Sequence, residues 1–149
     1  LQEALTFVPV GVAVDEFQHI CYADPQLTPR ERTYQWRLLE EKYMPWRRYG
    51  NDAFMERGGY WYHKLHIYLY PFYYINYTLT TMGAMEFKTK DRKNHEDAWK
   101  DYLNLCKCGG SMSYLETLRY AHLMNPFEQG TVEKAIELAK NDLLNSKYM

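Results

Sequence analysis

From Tyr60 to Tyr77 the chain carries nine aromatic rings in eighteen positions, with His63 and His66 among them. Tyr74 and Tyr77 are three residues apart, so on a helix their phenols face the same way. Phenol O–H groups are neutral hydrogen-bond donors. They can stabilise an oxyanion without bringing in a charge that must itself be desolvated. His66, just ahead of such a helix, offers a third donor. Gly58 and Gly59, further upstream, let the backbone bend close to a substrate. Tyr73 is expected to point elsewhere, to the core or another wall. The same rings also fit an aromatic core whose hydroxyls reach the surface or a buried partner, and a stacking platform for sugars or bases is a third reading.

Metal chemistry finds less support. A zinc peptidase helix needs H-E-x-x-H, two imidazoles one turn apart with a glutamate base between them. The nearest string, HEDAW at residues 95–99, has Trp99 where the second histidine belongs; it reads as a solvated helix start. The E-x-x-H of Glu16 to His19 has the spacing used in di-iron bundles, which need a second copy and two more carboxylates. No second copy is present, so EFQH reads as the polar end of an apolar helix. His63 and His66 are three apart, but no third acidic or histidine ligand neighbours them in sequence. Cys106 and Cys108 form a C-x-C with no second pair, so a zinc ribbon is not indicated.

The elements that must hold these residues are helical. Residues 1–22 read as an apolar helix, or as two with a break near Pro9, leaving the core near Asp15. Thr28, Pro29 and Glu31 have the spacing of a capping box with proline in the first position. The helix that follows should carry Trp36, Leu38, Leu39 and Tyr43 on one face and end before Pro45. A short helix, a glycine turn at Gly58 and Gly59, and a second short segment lead to Pro71. A long helix is expected from about Phe72 towards Lys90, then a charged turn. The helix from His95 should turn Ala98, Tyr102, Leu105 and Cys106 inward and stop at Gly109 and Gly110. Ser113 or Ser111 caps another, running through Leu123. The last spans Thr131 to Leu144, with Val132, Ile136, Ala139 and Leu143 on one stripe. The alternation of His66, Tyr68, Tyr70, Phe72 and Tyr74 could be a strand, but Pro71 in its middle argues against a central one. The fold class is therefore all-α.

The 149 residues suit one domain with a single core. A chain 46% apolar and 25% charged is globular rather than disordered. A net charge of −1 leaves no broad basic field for a nucleic acid backbone. No apolar run approaches the roughly 18 residues needed to span a bilayer. Three cysteines, an odd number, fit a reducing setting better than a disulfide framework. The chain begins at Leu1 and enters an apolar segment at once, as a piece of something longer would.

The blocks GVAVDEFQH, RGGYWYHKLHIYLYPFYYINYTL, WKDYLNLCKCGGS and NPFEQGTV resemble, in order and over nearly the whole chain, the oligoendopeptidase F family. That family is related to thimet oligopeptidase and neurolysin, zinc metallopeptidases that cut short peptides inside cells. The resemblance implies a helical fold with a deep channel between two lobes. It also implies a zinc held by an H-E-x-x-H helix and a glutamate on the next helix, both upstream of these blocks. Residues 1–149 would then be a C-terminal catalytic-domain fragment without the metal helix, inactive alone and holding no zinc. By the same resemblance, His66, Tyr74 and Tyr77 face the zinc across the channel as catalytic residues, and Gly58, Gly59 and Tyr70 line the substrate. The separation of His66 from Tyr74 is slightly shorter than in the thimet branch. Expected partners are short peptides, the missing N-terminal part of the enzyme, and a second copy through an exposed lobe interface. Neither nucleic acid nor membrane is expected, and the location is cytoplasmic. The competing class is a non-enzymatic helical module that holds peptides.

Overall fold

The chain is helical in the computed structural model, which describes residues 2–144, leaving out the side chains of Leu138, Ala139, Asp142 and Leu143. The helices are α1 (Gln2–Ala23), α2 (Pro29–Tyr43), α3 (Ala53–Glu56), α4 (Leu65–Leu69), α5 (Ile75–Lys93), α6 (His95–Cys108), α7 (Tyr114–Tyr120) and α8 (Thr131–Leu144), with a 3-10 helix at Gly59–His63. No strand occurs among the described residues, and the fold is all-α. No helix among them is long and apolar enough to cross a membrane. The chain divides into two units, Thr6–Thr78 and Leu79–Met149 with Leu1–Leu5.

In the first unit, α1 runs through Pro9 without a break, the first of the two alternatives left open by the sequence. An interior proline costs about 3 kcal/mol. Beyond it Ala13, Val14 and Phe17 are fully buried, and Phe17 meets Trp36 edge-on at 5.3 Å. Burying one such ring contributes roughly 1.5–3 kcal/mol, so Phe17 and Trp36 together offset the local penalty. The helix also stays in the core past Asp15, since Gln18 is buried as well. α2 starts as its spacing predicts: the Thr28 amide and hydroxyl donate to Glu31 Oε2, both at 2.7 Å, and the Glu31 amide donates back to Thr28 Oγ1 at 3.3 Å. Of its expected face, Trp36 and Leu39 are buried, Tyr43 is half-buried and Leu38 is exposed. Glu40, beside Leu39, is buried as well. Its carboxylate accepts from Tyr49 Oη at 2.5 Å and from Arg37 at 3.3 Å, the partners a buried charge requires.

In the second unit, α5 continues to Lys93, so most of the expected charged turn is helix. Asn94 ends it and caps α6 by accepting from the Asp97 amide at 3.3 Å. The buried face of α6 is Ala98, Asp101 and Cys108, with Leu105 half-buried. Tyr102 and Cys106 lie outward, so the inward stripe is rotated from the one expected. Asp101 accepts from Lys90 at 2.5 Å and pairs with His122 Nδ1 at 2.7 Å. Lys90 first and His122 second hold its carboxyl below the usual range. Ser113 caps α7, its amide and hydroxyl donating to Glu116 at 3.0 and 2.6 Å. α7 ends at Tyr120, short of Leu123, and His122 turns the chain with φ 50°. In α8, Thr131 and Ala135 are buried whereas Val132 is exposed; the side chains of Ala139 and Leu143 lie outside the described residues.

Candidate functional site

The aromatic segment is held between two turns. Asp52 caps α3 by accepting from the Phe54 and Met55 amides, both at 3.0 Å. The chain then reverses at Gly58, whose φ of 102° disfavours any side chain. A Cβ on Gly58 would stand 2.1 Å from the Thr33 carbonyl, and one on Gly59 2.3 Å from the Phe54 ring. Both glycines therefore press the segment against α2 and α3. The 3-10 helix buries Trp61 against Phe17 at 5.0 Å, and Lys64 joins it to α4, which carries His66 and Tyr70.

The second turn explains why α5 starts at Ile75 and not at Phe72. Phe72 has φ 60°, and its amide donates to the buried Gln18 Oε1 at 2.8 Å. Its ring packs on His19 at 4.9 Å and Tyr22 at 5.0 Å. A long-range side chain thus takes the backbone donor that an earlier helix start would have left open.

These turns bring His66 to the centre of a ring cluster. Its imidazole lies 5.1 Å from Tyr74 and 5.7 Å from Tyr77, nearly perpendicular to both, and Tyr74 and Tyr77 are 5.5 Å apart. Tyr70 sits 6.1 Å from His66. His66, Tyr70, Tyr74 and Tyr77 therefore converge, whereas Gly58 and Gly59 pack on Thr33 and Phe54. Tyr73 corrects the expectation: rather than pointing elsewhere, it stacks on His66 at 6.4 Å and meets Tyr77 at 5.5 Å. Its four-residue separation from Tyr77 was the available signal. Exposure separates the phenols, with Tyr74 at 8% in the core and Tyr77 at 39% on the surface. Partial desolvation first, then the Tyr73 phenol and lastly Tyr74, push the Tyr77 phenol above its ordinary value. Lys64, also missed from sequence, holds its Nζ 5.5 Å from the Tyr74 ring centre.

The metal candidates are dispersed. No group of three His, Cys, Asp or Glu converges among the described residues. His63 lies in the 3-10 helix against Tyr60, and His66 lies in α4 among phenols. Glu16 is taken by Lys42 and Tyr43, and His95 pairs with Asp91 at 2.6 Å on the surface. The described residues do not fit a zinc site.

A solved PZ peptidase A, determined with an inhibitor, superposes on this chain with a TM-score of 0.92 at 46% identity, covering 97% of this chain and 26% of its own. In sequence and in fold the chain matches part of an oligoendopeptidase F-type protein, as two further structures show. A second solved structure, assigned as an oligoendopeptidase F, matches with a TM-score of 0.92 at 42% identity, again over 97% of this chain and 26% of its own. A third, assigned likewise and from Bacillus anthracis, matches with a TM-score of 0.76 at 39% identity, over 97% and 22%. The chain thus spans about a quarter of the length of these three relatives. No family model and no curated protein matches it.

Proposed function

We propose that this chain supplies the substrate-binding and oxyanion-stabilising side of a zinc-dependent metalloendopeptidase acting on short peptides. The observation that carries this reading is the convergence of His66, Tyr74 and Tyr77 within 5.7 Å of one another, ring centre to ring centre. Peptide hydrolysis moves negative charge onto the carbonyl oxygen, and preorganised neutral donors stabilise that charge most where water is scarce. Tyr77, the more exposed phenol, donates to the developing oxyanion. Tyr74 braces the imidazole from the core side and is the second donor, and His66 is the third. Tyr70 and the loop of Gly58 and Gly59 flank the bound peptide, while the glycines' own faces are spent on packing.

Zinc would supply the polarisation of the carbonyl and the activation of water. Because the residues present do not fit it, its ligands and the general base belong to polypeptide other than these residues, and no step is assigned to them here. The chain alone is expected neither to hold stoichiometric zinc nor to cleave peptides; zinc-dependent cleavage by the purified chain would overturn that expectation. The partners are short peptides and the remainder of the same enzyme, and the setting is cytoplasmic.

The deciding experiment is Tyr77→Phe in a polypeptide that joins these residues to the metal-binding part. A fall in kcat of about a hundredfold with KM little changed is the result expected for losing one oxyanion donor. An unchanged kcat would move Tyr77 to a packing role and leave peptide holding as the task of the aromatic face.

A further inference from the structure

Lys64 is the joint between the 3-10 helix and α4. Its amide donates to the Trp61 carbonyl at 2.9 Å, and its own carbonyl accepts from the Ile67 amide at 2.9 Å. With the backbone pinned on both sides, the side chain leaves from a defined point. Its Nζ stands 5.2 Å from the ring centre of Tyr60 and 5.5 Å from that of Tyr74. Ring faces attract an ammonium but supply no countercharge. Several cations of the molecule do have carboxylate partners: Arg37 pairs with Glu40, Lys42 with Glu16 and Lys90 with Asp101. Lys64 has no carboxylate partner among the described residues.

Its position gives that charge a use. Tyr74 stands between Lys64 and His66, 5.5 Å from the ammonium and 5.1 Å from the imidazole. The cation therefore lies within about three residues of extended chain from the donor cluster. We propose that Lys64 is a specificity-determining residue that takes a carboxylate of the bound peptide, close to the bond presented to His66 and Tyr77. This rests on the peptide-site reading above and names the substrate class that reading leaves open: peptides with a negative charge a few residues from the scissile bond. The carboxylate is either the peptide's free C-terminus or an Asp or Glu side chain. An ammonium reads either as a point charge.

The test needs binding and no catalysis. N-acetyl-Ala-Phe-Gly-Leu as the free acid, the same peptide as its C-terminal amide, and the amide with Glu in place of Leu are titrated into this chain. Imidazole and phenol ring signals are followed by NMR. The expected result is binding about fivefold to tenfold tighter for the acid than for the neutral amide at low salt, narrowing as salt is raised. Lys64→Gln should erase the preference and Lys64→Arg should keep it. Tight binding of the Glu amide assigns the subsite to side-chain carboxylates as well, and its failure assigns it to the C-terminus. Equal binding of all three peptides to the unmodified chain overturns the role of Lys64 while the peptide site stands. If none of the three binds, both readings fall. The comparison of peptides on the unmodified chain holds even if a variant folds poorly.

Discussion

The ring of Tyr73 meets that of Tyr77 edge-on, their centres 5.5 Å apart and their planes at 83°. Tyr73 also stacks on His66, so one phenol contacts both the imidazole and the exposed donor. It is in this geometry a positioning residue for Tyr77. Partial desolvation and then Tyr73 raise the Tyr77 phenol. A raised phenol stays protonated, and hence a donor, above the pH near 10 at which an ordinary tyrosine ionises. Any stability this lends is complete below that pH and is lost as pH rises through the folded value. Tyr73→Phe should bring the Tyr77 titration down towards the ordinary value without reaching it, because the desolvation remains. Tyrosine ring-carbon NMR across pH 8–12 reads this directly; an unmoved titration would assign the whole shift to desolvation.

Glu40 is 1% exposed, and its charge is matched by Arg37 at 3.3 Å, Arg47 at 3.9 Å and Tyr49 at 2.5 Å. Removing Arg37 leaves that carboxylate short of a partner, so Arg37→Met should destabilise the chain by about 3 kcal/mol. Tyr49→Phe should cost about 2 kcal/mol, the scale for a hydrogen bond to a charged group. Burial, and next Glu40, push the Tyr49 phenol up. Its contribution is therefore fully present below pH 10 and disappears as pH rises through the raised value. Urea unfolding at pH 7 checks both substitutions. Tyr49→Phe should narrow its gap to the unmodified chain in strong alkali, and a constant gap would count against the linkage.

Gly58 and Gly50 both have positive φ, 102° and 62°, but only Gly58 has neighbours in the way of a side chain. Gly50→Ala should cost roughly 1 kcal/mol, the strain of the left-handed region alone. Gly58→Ala should cost about 3 kcal/mol or more, because the Thr33 carbonyl must also give way. Thermal unfolding of the two variants separates them, and equal costs would mean that the turn relaxes freely.

Leu65, Tyr68, Leu69 and Tyr70 are all about half exposed or more, on one short helix and its end. Contiguous apolar patches of this kind favour association. The purified chain should form dimers with a second copy at tens of micromolar in light scattering. A clean monomer would count against this.

Much of the fold was legible because its signals are local. Thr28, Pro29 and Glu31 set a helix start through contacts three residues apart. Gly109 closes α6 by its own left-handed backbone. The spacing of Tyr74 and Tyr77 placed two donors together, as the structure does at 5.5 Å. Pro9 left one helix or two open, because a local penalty by itself does not tell how much core stands against it.

By itself, then, the sequence determined the helical class, the capped helix starts and the pairing of Tyr74 with Tyr77, since each depends on spacing along one element. Only the tertiary structure decided where the long helix begins, which way Tyr73 faces and what surrounds Lys64. Each of those turns on a partner far along the chain or on a turn set by one. Gln18 lies 54 residues before the Phe72 amide it accepts from. Contacts of that separation leave no periodic trace, because the loop that closes them constrains neither composition nor spacing between its ends.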